Sequence, residues 1–329
     1  MNRKTYFLIL VVALVTAYVL GPAPEHPRWS TQYPVVPSAP DALEDFIRTN
    51  EQRHQLKPGN TARIVWADSL RRKTPYSIVY LHGFSASEKE GDPVHIDFAR
   101  RYGFNLYLAR LADHGIDTTE QLLYFTPDRF WESAKEALAI GESLGEKVIV
   151  MSCSTGGTVA LALAAQWPEK VSALINMSPN IRVNNSSAFL LNNPWGLQIA
   201  RLVIGSDYQN IPYDSIRRVY WNTPYRLEAL TQLQEMLEYK MQPETFTRVT
   251  CPVLNIYYYK DEAHQDPTVS VKAMLAMHEQ LGTPEQQKRA VAVPGAGAHV
   301  IGSSLVSKDI PAVETVVNRF AEEVLGLKR

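Results

Sequence analysis

Short apolar runs alternate with amphipathic stretches along most of this chain. The apolar runs are dense in Val, Ile, Leu and Tyr, which is typical of strands buried on both faces. They predict strands at Arg63–Ala67, Ser77–Leu81, Asn105–Ala109, Lys147–Met151, Ala173–Met177, Val253–Tyr258 and Arg289–Val293. The amphipathic stretches predict helices at Asp41–His54, Pro93–Tyr102, Pro127–Leu144, Thr158–Trp167, Ser270–Leu281 and Pro311–Leu325. This alternation indicates an α/β fold, a mostly parallel sheet with helices on both faces.

The alternation stops between Met177 and Val253, where the sequence is rich in aromatic residues and lacks a strand pattern. We interpret residues 61–329 as one domain that carries a helical insertion at about residues 180–248. We interpret residues 22–60 as a proline-rich linker followed by a helix. We expect the linker to hold the domain away from the membrane.

The first 21 residues have a different composition from the domain. Arg3 and Lys4 precede the apolar run Tyr6–Leu20, which is the pattern of an export signal. The run is shorter than the roughly 20 residues that comfortably span a bilayer. We therefore expect an exported protein that is anchored to the membrane by its N-terminal segment, residues 1–21, or that is periplasmic or secreted after cleavage.

Overall composition narrows the possible partners. The 329 residues carry a formal net charge of −1 and are 45% hydrophobic, so we expect a globular protein without a nucleic-acid partner. The two cysteines, Cys153 and Cys251, lie at opposite ends of predicted strands, too far apart for a disulfide.

One short motif joins a strand to a helix in a way that predicts a nucleophile. Ser154 lies between the apolar strand Val148–Met151 and the helix Gly156–Ala165, inside Ser-Cys-Ser-Thr-Gly. This arrangement is a nucleophile elbow, in which a sharp turn presents the serine above the edge of the sheet. Ser152 replaces the first glycine of the usual G-x-S-x-G pattern, which is the smallest available change.

Two further segments complete the pattern. The sequence His82-Gly83-Phe84 follows a strand early in the chain, and His299 stands in a loop of small residues after the last strand. With these residues the chain resembles the α/β-hydrolase superfamily, in particular esterases and monoacylglycerol lipases with a helical cap. The resemblance implies that Ser154 is the nucleophile and His299 its base. It also implies that the main-chain N–H groups of Phe84 and Thr155 form an oxyanion hole.

The superfamily also requires a carboxylate between the serine and the histidine in chain order. Asp261 and Asp266 both follow the strand Val253–Tyr258. We favour Asp266, because an apolar residue follows three positions on and a helix begins near Ser270. Asp261, at the expected distance after the strand, stays the alternative. His264 lies among these acids, but no repeated ligand spacing is present, so we expect no metal and no cofactor.

These residues predict a serine hydrolase that cleaves a small-molecule or lipid ester with an apolar acyl group. The first alternative is an amidase or aminopeptidase of the same fold, which would need carboxylates in the insertion to hold a free amine. Asp214, Glu228, Glu235 and Glu238 are the available candidates. The second alternative is a non-catalytic binding protein on this scaffold.

Overall fold

The computed structural model describes residues 2–328 and contains a central sheet of seven strands. The strands are β1 (Arg63–Val65), β2 (Thr74–Leu81), β3 (Asn105–Leu108), β4 (Gly145–Cys153), β5 (Ala173–Met177), β6 (Val253–Tyr257) and β7 (Lys288–Ala292). Their order in the sheet is β1-β3-β2-β4-β5-β6-β7. β1 pairs with β3 in the antiparallel sense, and every other neighbouring pair is parallel. The predicted α/β class with a mostly parallel sheet is confirmed.

Helices cover both faces of this sheet. They are α1 (Arg3–Val19), α2 (Pro40–Glu51), α3 (Val94–Tyr102), α4 (Pro127–Leu144), α5 (Thr155–Gln166), α6 (Gly196–Ile204), α7 (Ser215–Tyr220), α8 (Leu227–Lys240), α9 (Pro243–Phe246), α10 (Val271–Gln280) and α11 (Ile310–Glu323). Three-residue and four-residue 3-10 turns occur at Glu88–Gly91, Ala188–Leu190 and Glu285–Gln287.

The side-chain alternation of the strands divides the apolar interior into two cores. In β2, Val79 and Leu81 belong to the core that also contains side chains of α2, α4 and α5, whereas Ile78 and Tyr80 belong to the core that contains side chains of α3 and α11. Successive side chains of a strand point to opposite faces, so one apolar run supplies both cores. This is why the strands read as continuously hydrophobic.

Several element boundaries differ from the predicted ones. β1 ends at Val65, because the N–H of Ala67 donates to the Asn105 side chain instead of to a neighbouring strand. α5 begins at Thr155 rather than Thr158, directly after the serine. The insertion holds α6 to α9 as expected, but it also contains two paired two-residue strands, Tyr208–Gln209 and Tyr225–Arg226. Strands this short leave no periodic pattern in a sequence.

Residues 22–39 were expected to form a spacer, and the structure shows them packed on the domain instead. The ring of Trp29 is buried and stacks on Trp131 of α4, with centroids 4.5 Å apart. The buried ammonium group of Lys135 donates to the carbonyl oxygens of Ser30 and Gln32, at 3.2 and 2.8 Å. The aromatic side chains within the proline-rich segment therefore bind it to the surface of α4.

The N-terminal helix α1 lies outside both cores. Its side chains are exposed, apart from the half-buried Thr5. Trp195, which precedes α6, donates its main-chain N–H to the carbonyl of Pro22 at 2.8 Å and its indole N–H to that of Ala17 at 3.0 Å. Within residues 2–328, no helix combines the length and apolar character required to cross a membrane.

Candidate active site

Ser154 occupies the sharp turn between β4 and α5. Its backbone has φ 51° and ψ −122°, a conformation that a non-glycine residue adopts only under constraint. Two hydrogen bonds supply that constraint: its N–H donates to the Met177 carbonyl at 3.0 Å, and its own carbonyl accepts the N–H of Asn180 at 2.9 Å. The serine therefore stands at the carboxyl edge of the sheet and is only 7% exposed.

Close packing around this turn requires glycine at two positions. A Cβ added at Gly156 would lie 2.0 Å from the carbonyl oxygen of Leu81, so α5 and β2 approach too closely for any side chain. A Cβ at Gly83 would lie 2.7 Å from the Cβ of Ser154. The loop after β2 thus lies directly against the serine.

The hydroxyl of Ser152, which replaces the usual first glycine, is used in a buried hydrogen-bond chain. It donates to the side-chain oxygen of Asn176 at 2.7 Å, and the amide of Asn176 donates to Asn255 at 3.0 Å. Asn255 in turn contacts the Nδ1 of His278 at 3.0 Å. Because each buried polar group has a partner, this departure from glycine is compatible with a closed core.

His299 and Asp266 form a hydrogen-bonded pair beside the serine. The Nδ1 of His299, in the loop after β7, lies 2.7 Å from Oδ2 of Asp266. The other carboxylate oxygen of Asp266 accepts the N–H groups of Thr268 and Val269, at 2.8 and 3.0 Å. The carboxylate is fully buried, and these bonds fix its orientation.

The electrostatics of this pair favour the ionised carboxylate. Burial alone would raise the pKa of Asp266, but the charge of His299 and hydrogen bonds from its ring and two N–H groups outweigh burial and lower it. Burial would lower the pKa of His299, and the charge of Asp266 together with their hydrogen bond raises it overall. Nδ1 of His299 therefore carries the proton that bonds to Asp266.

The opposite ring nitrogen of His299 is free for chemistry. Nε2 is buried and has no hydrogen-bond partner within residues 2–328. His299 and Ser154 line the same cavity. Nε2 is therefore a buried, unbonded nitrogen in the cavity that the serine also lines.

Asp261, the alternative carboxylate, lies elsewhere. It ends an exposed strand, Tyr259–Asp261, that pairs with His264–Gln265. Its Oδ1 accepts from the Nδ1 of His264 at 2.8 Å and from the N–H of Ala263 at 3.0 Å. Among the described residues there is no group of side chains that could hold a metal ion. Asp266 is thus the carboxylate that the structure places on His299.

The main-chain N–H groups of Phe84 and Thr155 are available at the cavity. Both residues line it together with Ser154. Within the part of the chain that the structure describes, neither N–H group donates to a protein acceptor. Thr155 is also the first residue of α5, so its N–H lies at the end of the helix where the dipole favours negative charge.

Two buried histidines hold the loop that carries Phe84. The Nδ1 of His82 lies 2.9 Å from the carbonyl of Gly83, and its Nε2 accepts the N–H of Leu111 at 3.0 Å. His114 accepts the N–H of Ser85 at 3.0 Å. Burial lowers the pKa of His82 well below its usual range and that of His114 to about 4. Both rings are therefore neutral and act as hydrogen-bonding supports.

The cavity above these groups has a volume of about 370 Å³. Most of its wall is apolar, and the insertion supplies a large part of it. The apolar and aromatic side chains that the insertion contributes include Ile211, Tyr213, Trp221, Tyr225, Leu230 and Leu233. Arg217 also reaches the cavity, where its guanidinium bonds to Asp214 at 2.7 Å.

Sequence reasoning missed two polar residues on the cavity wall. Glu90 is 2% exposed and lines the cavity with Ser154 and His299. Asn180 is also buried there, and its side-chain oxygen has no hydrogen-bond partner within residues 2–328. Glu90 lies in the hydrophilic stretch Glu88–Asp92, which reads as an exposed loop. The only available signal was its position shortly after His82-Gly83-Phe84.

Comparison with known proteins identifies the family. Residues 78–306 match the alpha/beta hydrolase family, and because this is more than half of the sequence, the chain belongs to that family. Among curated proteins no significant match is found.

Solved structures of the same fold include lipolytic enzymes. The chain is similar to a structure described for the metagenome-derived lipolytic enzymes LipS and LipT, with 17% identity and a TM-score of 0.64 over 81% of this chain and 98% of that one. It is also similar to a monoacylglycerol lipase from Paleococcus ferrophilus, with 13% identity and a TM-score of 0.56 over 80% and 98% of the two chains. A thermophilic esterase from Thermogutta terrifontis has 16% identity and a TM-score of 0.53, over 82% and 97%. At these identities the likeness establishes the fold alone.

Proposed function

We propose that the protein is a serine hydrolase that cleaves carboxylic esters through an acyl-enzyme on Ser154. The observation that carries the proposal is the pairing of His299 with Asp266 at Nδ1, which leaves Nε2 unbonded in the cavity that Ser154 lines. This is the arrangement of a nucleophile, base and orienting acid.

In the proposed reaction, the hydroxyl oxygen of Ser154 attacks the acyl carbon while Nε2 of His299 takes its proton. The negative charge on the former carbonyl oxygen is held by the N–H groups of Phe84 and Thr155. His299 returns the proton to the departing alcohol as the bond to the acyl carbon breaks. Water, deprotonated by Nε2 of His299, then attacks the acyl carbon. The bond between this carbon and the oxygen of Ser154 breaks, His299 gives the proton to that oxygen, and the acid is released.

Asp266 has an electrostatic and orienting task in this scheme. Its carboxylate holds the proton of His299 on Nδ1, so that Nε2 keeps the lone pair needed to deprotonate the serine. It also stabilises the imidazolium that forms in the transition state. Its own two N–H partners, from Thr268 and Val269, keep it ionised and fixed.

The cavity supports an ester with an apolar acyl group. Pockets for small molecules are lined mainly by apolar side chains with a few placed polar groups, and this wall fits that description. Names given to structural neighbours, a monoacylglycerol lipase and an esterase among them, point to the same substrate class. The four carboxylates considered for binding an amine give no support to the amidase alternative, because none of them lines the cavity. Asp214 and Glu228 pair with arginines. Glu235 lies 2.6 Å from Nδ1 of His26, and Glu238 accepts from the side chain of Gln234.

We also propose that residues 180–248 act as a cap over the cavity and that the N-terminal segment attaches an exported protein to a membrane surface. Support for attachment comes from the exposed apolar side chains of α1 and from Leu202 and Val203 of α6, which are exposed as well. Co-sedimentation of the full chain with phospholipid vesicles tests attachment, and equal recovery with and without residues 1–20 would contradict it.

The test of the catalytic proposal is labelling of the full chain with a fluorophosphonate probe. We expect the wild type to be labelled and Ser154→Ala not to be, with both proteins folded by circular dichroism. A series of p-nitrophenyl esters of increasing acyl length, beside the matching anilides, then defines the substrate. Absence of labelling in a folded wild type would favour the binding-protein alternative.

A further inference from the structure

Glu90 is a buried carboxyl group in the wall of the catalytic cavity that the scheme above does not use. It follows the oxyanion loop, in the 3-10 turn Glu88–Gly91. Burying a carboxylate is unfavourable unless other groups compensate its charge. A buried carboxyl beside Ser154 and His299 therefore indicates that Glu90 has a functional role there.

The first relevant contact is to the loop that carries Phe84. Oε2 of Glu90 accepts the N–H of Gly83 at 2.5 Å. Gly83 immediately precedes Phe84, so this bond fixes the peptide that leads into the proposed oxyanion donor. A Cβ added at Gly83 would lie 2.9 Å from each carboxyl oxygen and 2.7 Å from the Cβ of Ser154. Glu90, the loop and the nucleophile thus meet at one point.

The second observation is the nature of the groups around the carboxyl. The thiol of Cys153, at the end of β4, interacts with it, and the charge of Glu90 adds to burial in raising the pKa of that thiol. His299 interacts with it from the loop after β7, while Tyr80 of β2 and Tyr213 of the insertion feel its charge. Within residues 2–328, no lysine or arginine pairs with Glu90. Arg217 lines the same cavity, but its guanidinium bonds to Asp214. In the proposed reaction, the cation that His299 becomes is the positive charge that interacts with Glu90.

Glu88, two positions earlier in the same turn, makes a direct contrast. It is buried too, but it bonds to the guanidinium of Arg63 at 2.8 Å and lies 3.3 Å from Nε2 of His95. These partners lower its pKa to about 2, although burial acts in the opposite sense. Burial raises the pKa of Glu90 to about 7 against the opposing effects of Gly83, His299 and Cys153. Glu88 is thus neutralised by an ion pair, whereas Glu90 has no such partner and lines the cavity with Ser154 and His299.

We infer that Glu90 is a positioning residue, which holds the His82–Gly83 peptide and thereby orients the adjoining N–H of Phe84 for the oxyanion, and which stabilises protonated His299 by its negative charge. This inference rests on the proposed function. In the transition state His299 is protonated and the oxyanion forms, so Glu90 acts when both are present. When Glu90 itself is protonated at lower pH, the second contribution is lost.

The experiment compares Glu90→Gln with Glu88→Gln in the full chain, by kcat, KM and the pH dependence of kcat/KM for a p-nitrophenyl ester. For Glu90→Gln we expect kcat to fall about 10- to 100-fold with KM little changed, since removing an oxyanion donor outright costs about 10²–10³. We also expect the acid limb of the profile to move to lower pH, because less negative charge faces His299. Glu88→Gln removes an equally buried carboxylate and should leave that limb in place.

The two parts of the inference separate in a second variant. Glu90→Asp keeps the charge but shortens the reach to Gly83, so kcat should fall while the acid limb stays near that of the wild type. If Glu90→Gln does not fold, a wild-type kcat in Glu90→Asp overturns the inference. An unmoved limb in folded Glu90→Gln, or the same shift in Glu88→Gln, also overturns it. Failure of the proposed function is distinguishable, because the wild type itself would then neither hydrolyse the ester nor react with the fluorophosphonate.

Discussion

Replacing Asp266 by asparagine tests the pairing with His299 most directly. In the native site one carboxylate oxygen accepts the ring N–H of His299, and the other accepts the N–H groups of Thr268 and Val269. The asparagine amide has one acceptor and one donor end. If the NH₂ group points towards Thr268 and Val269, it meets two N–H donors. If it points towards His299, it meets only one, the ring N–H. The NH₂ therefore faces His299.

This orientation changes the tautomer of the histidine. Nδ1 of His299 must then accept, which moves the proton to Nε2 and removes the lone pair that deprotonates Ser154 in the proposed reaction. The loss expected for a wrong tautomer is about 10⁴-fold in kcat, equivalent to about 5.4 kcal/mol at 1.36 kcal/mol per tenfold. The substitution changes little in size, so the fold should survive.

The assay is kcat for a p-nitrophenyl ester, with Asp261→Asn as the matched control. Asp261 is an exposed carboxylate on the same segment that bonds to His264 rather than to His299. We expect Asp261→Asn to retain activity within about twofold. The reasoning is refuted if Asp266→Asn keeps more than about a tenth of the activity, or if Asp261→Asn loses as much as Asp266→Asn.

Three other predictions concern pH, packing and the N-terminal segment. Because the pKa of His299 is raised, kcat/KM should fall as pH drops through a value above the ordinary histidine pKa of about 6.5; a midpoint below 6.5 would contradict this. Protonated His299 also stabilises the fold, and this contribution has the opposite pH dependence. It is complete below pH about 6.5 and is lost as the pH rises through the raised pKa of His299 in the folded protein. Gly156→Ala should lower the free energy of unfolding by more than about 3 kcal/mol in urea titrations, because its methyl group would overlap the Leu81 carbonyl. Lys135→Met should loosen residues 30–32, seen as faster proteolysis there with unchanged ester hydrolysis, because the two carbonyl contacts of Lys135 are lost while the Trp29–Trp131 stacking stays.

The fold was predictable because its strands are continuous apolar runs separated by amphipathic helices. Ser154 and His299 could be predicted as site residues for a related reason, since each lies in a local sequence of small residues after such a strand, and the structure brings both to one cavity. The choice between Asp261 and Asp266 needed more. A short exposed strand pair directs Asp261 to His264, and two-residue strands have no sequence pattern.

Other features depend on contacts that the local sequence conceals. Glu90 has charged neighbours in the chain, Lys89 and Asp92, which indicate an exposed turn, yet it is buried against Gly83. In residues 22–39 the prolines suggested a spacer, although Trp29 provides an apolar side chain for binding to α4. In both segments a single side chain, Glu90 or Trp29, determines whether the segment packs on the domain, and the average polarity or proline content does not reveal this.

The packing of residues 22–39 restricts how far the domain can move from α1. A free chain of this length would extend to about 60 Å and allow the domain to rotate in any direction. Bound along α4, and joined at Pro22 and Ala17 to Trp195, the same chain has neither that reach nor that rotational freedom. Any surface that takes up α1 therefore meets the molecule near Trp195, the residue that directly precedes α6, and α6 exposes Leu202 and Val203.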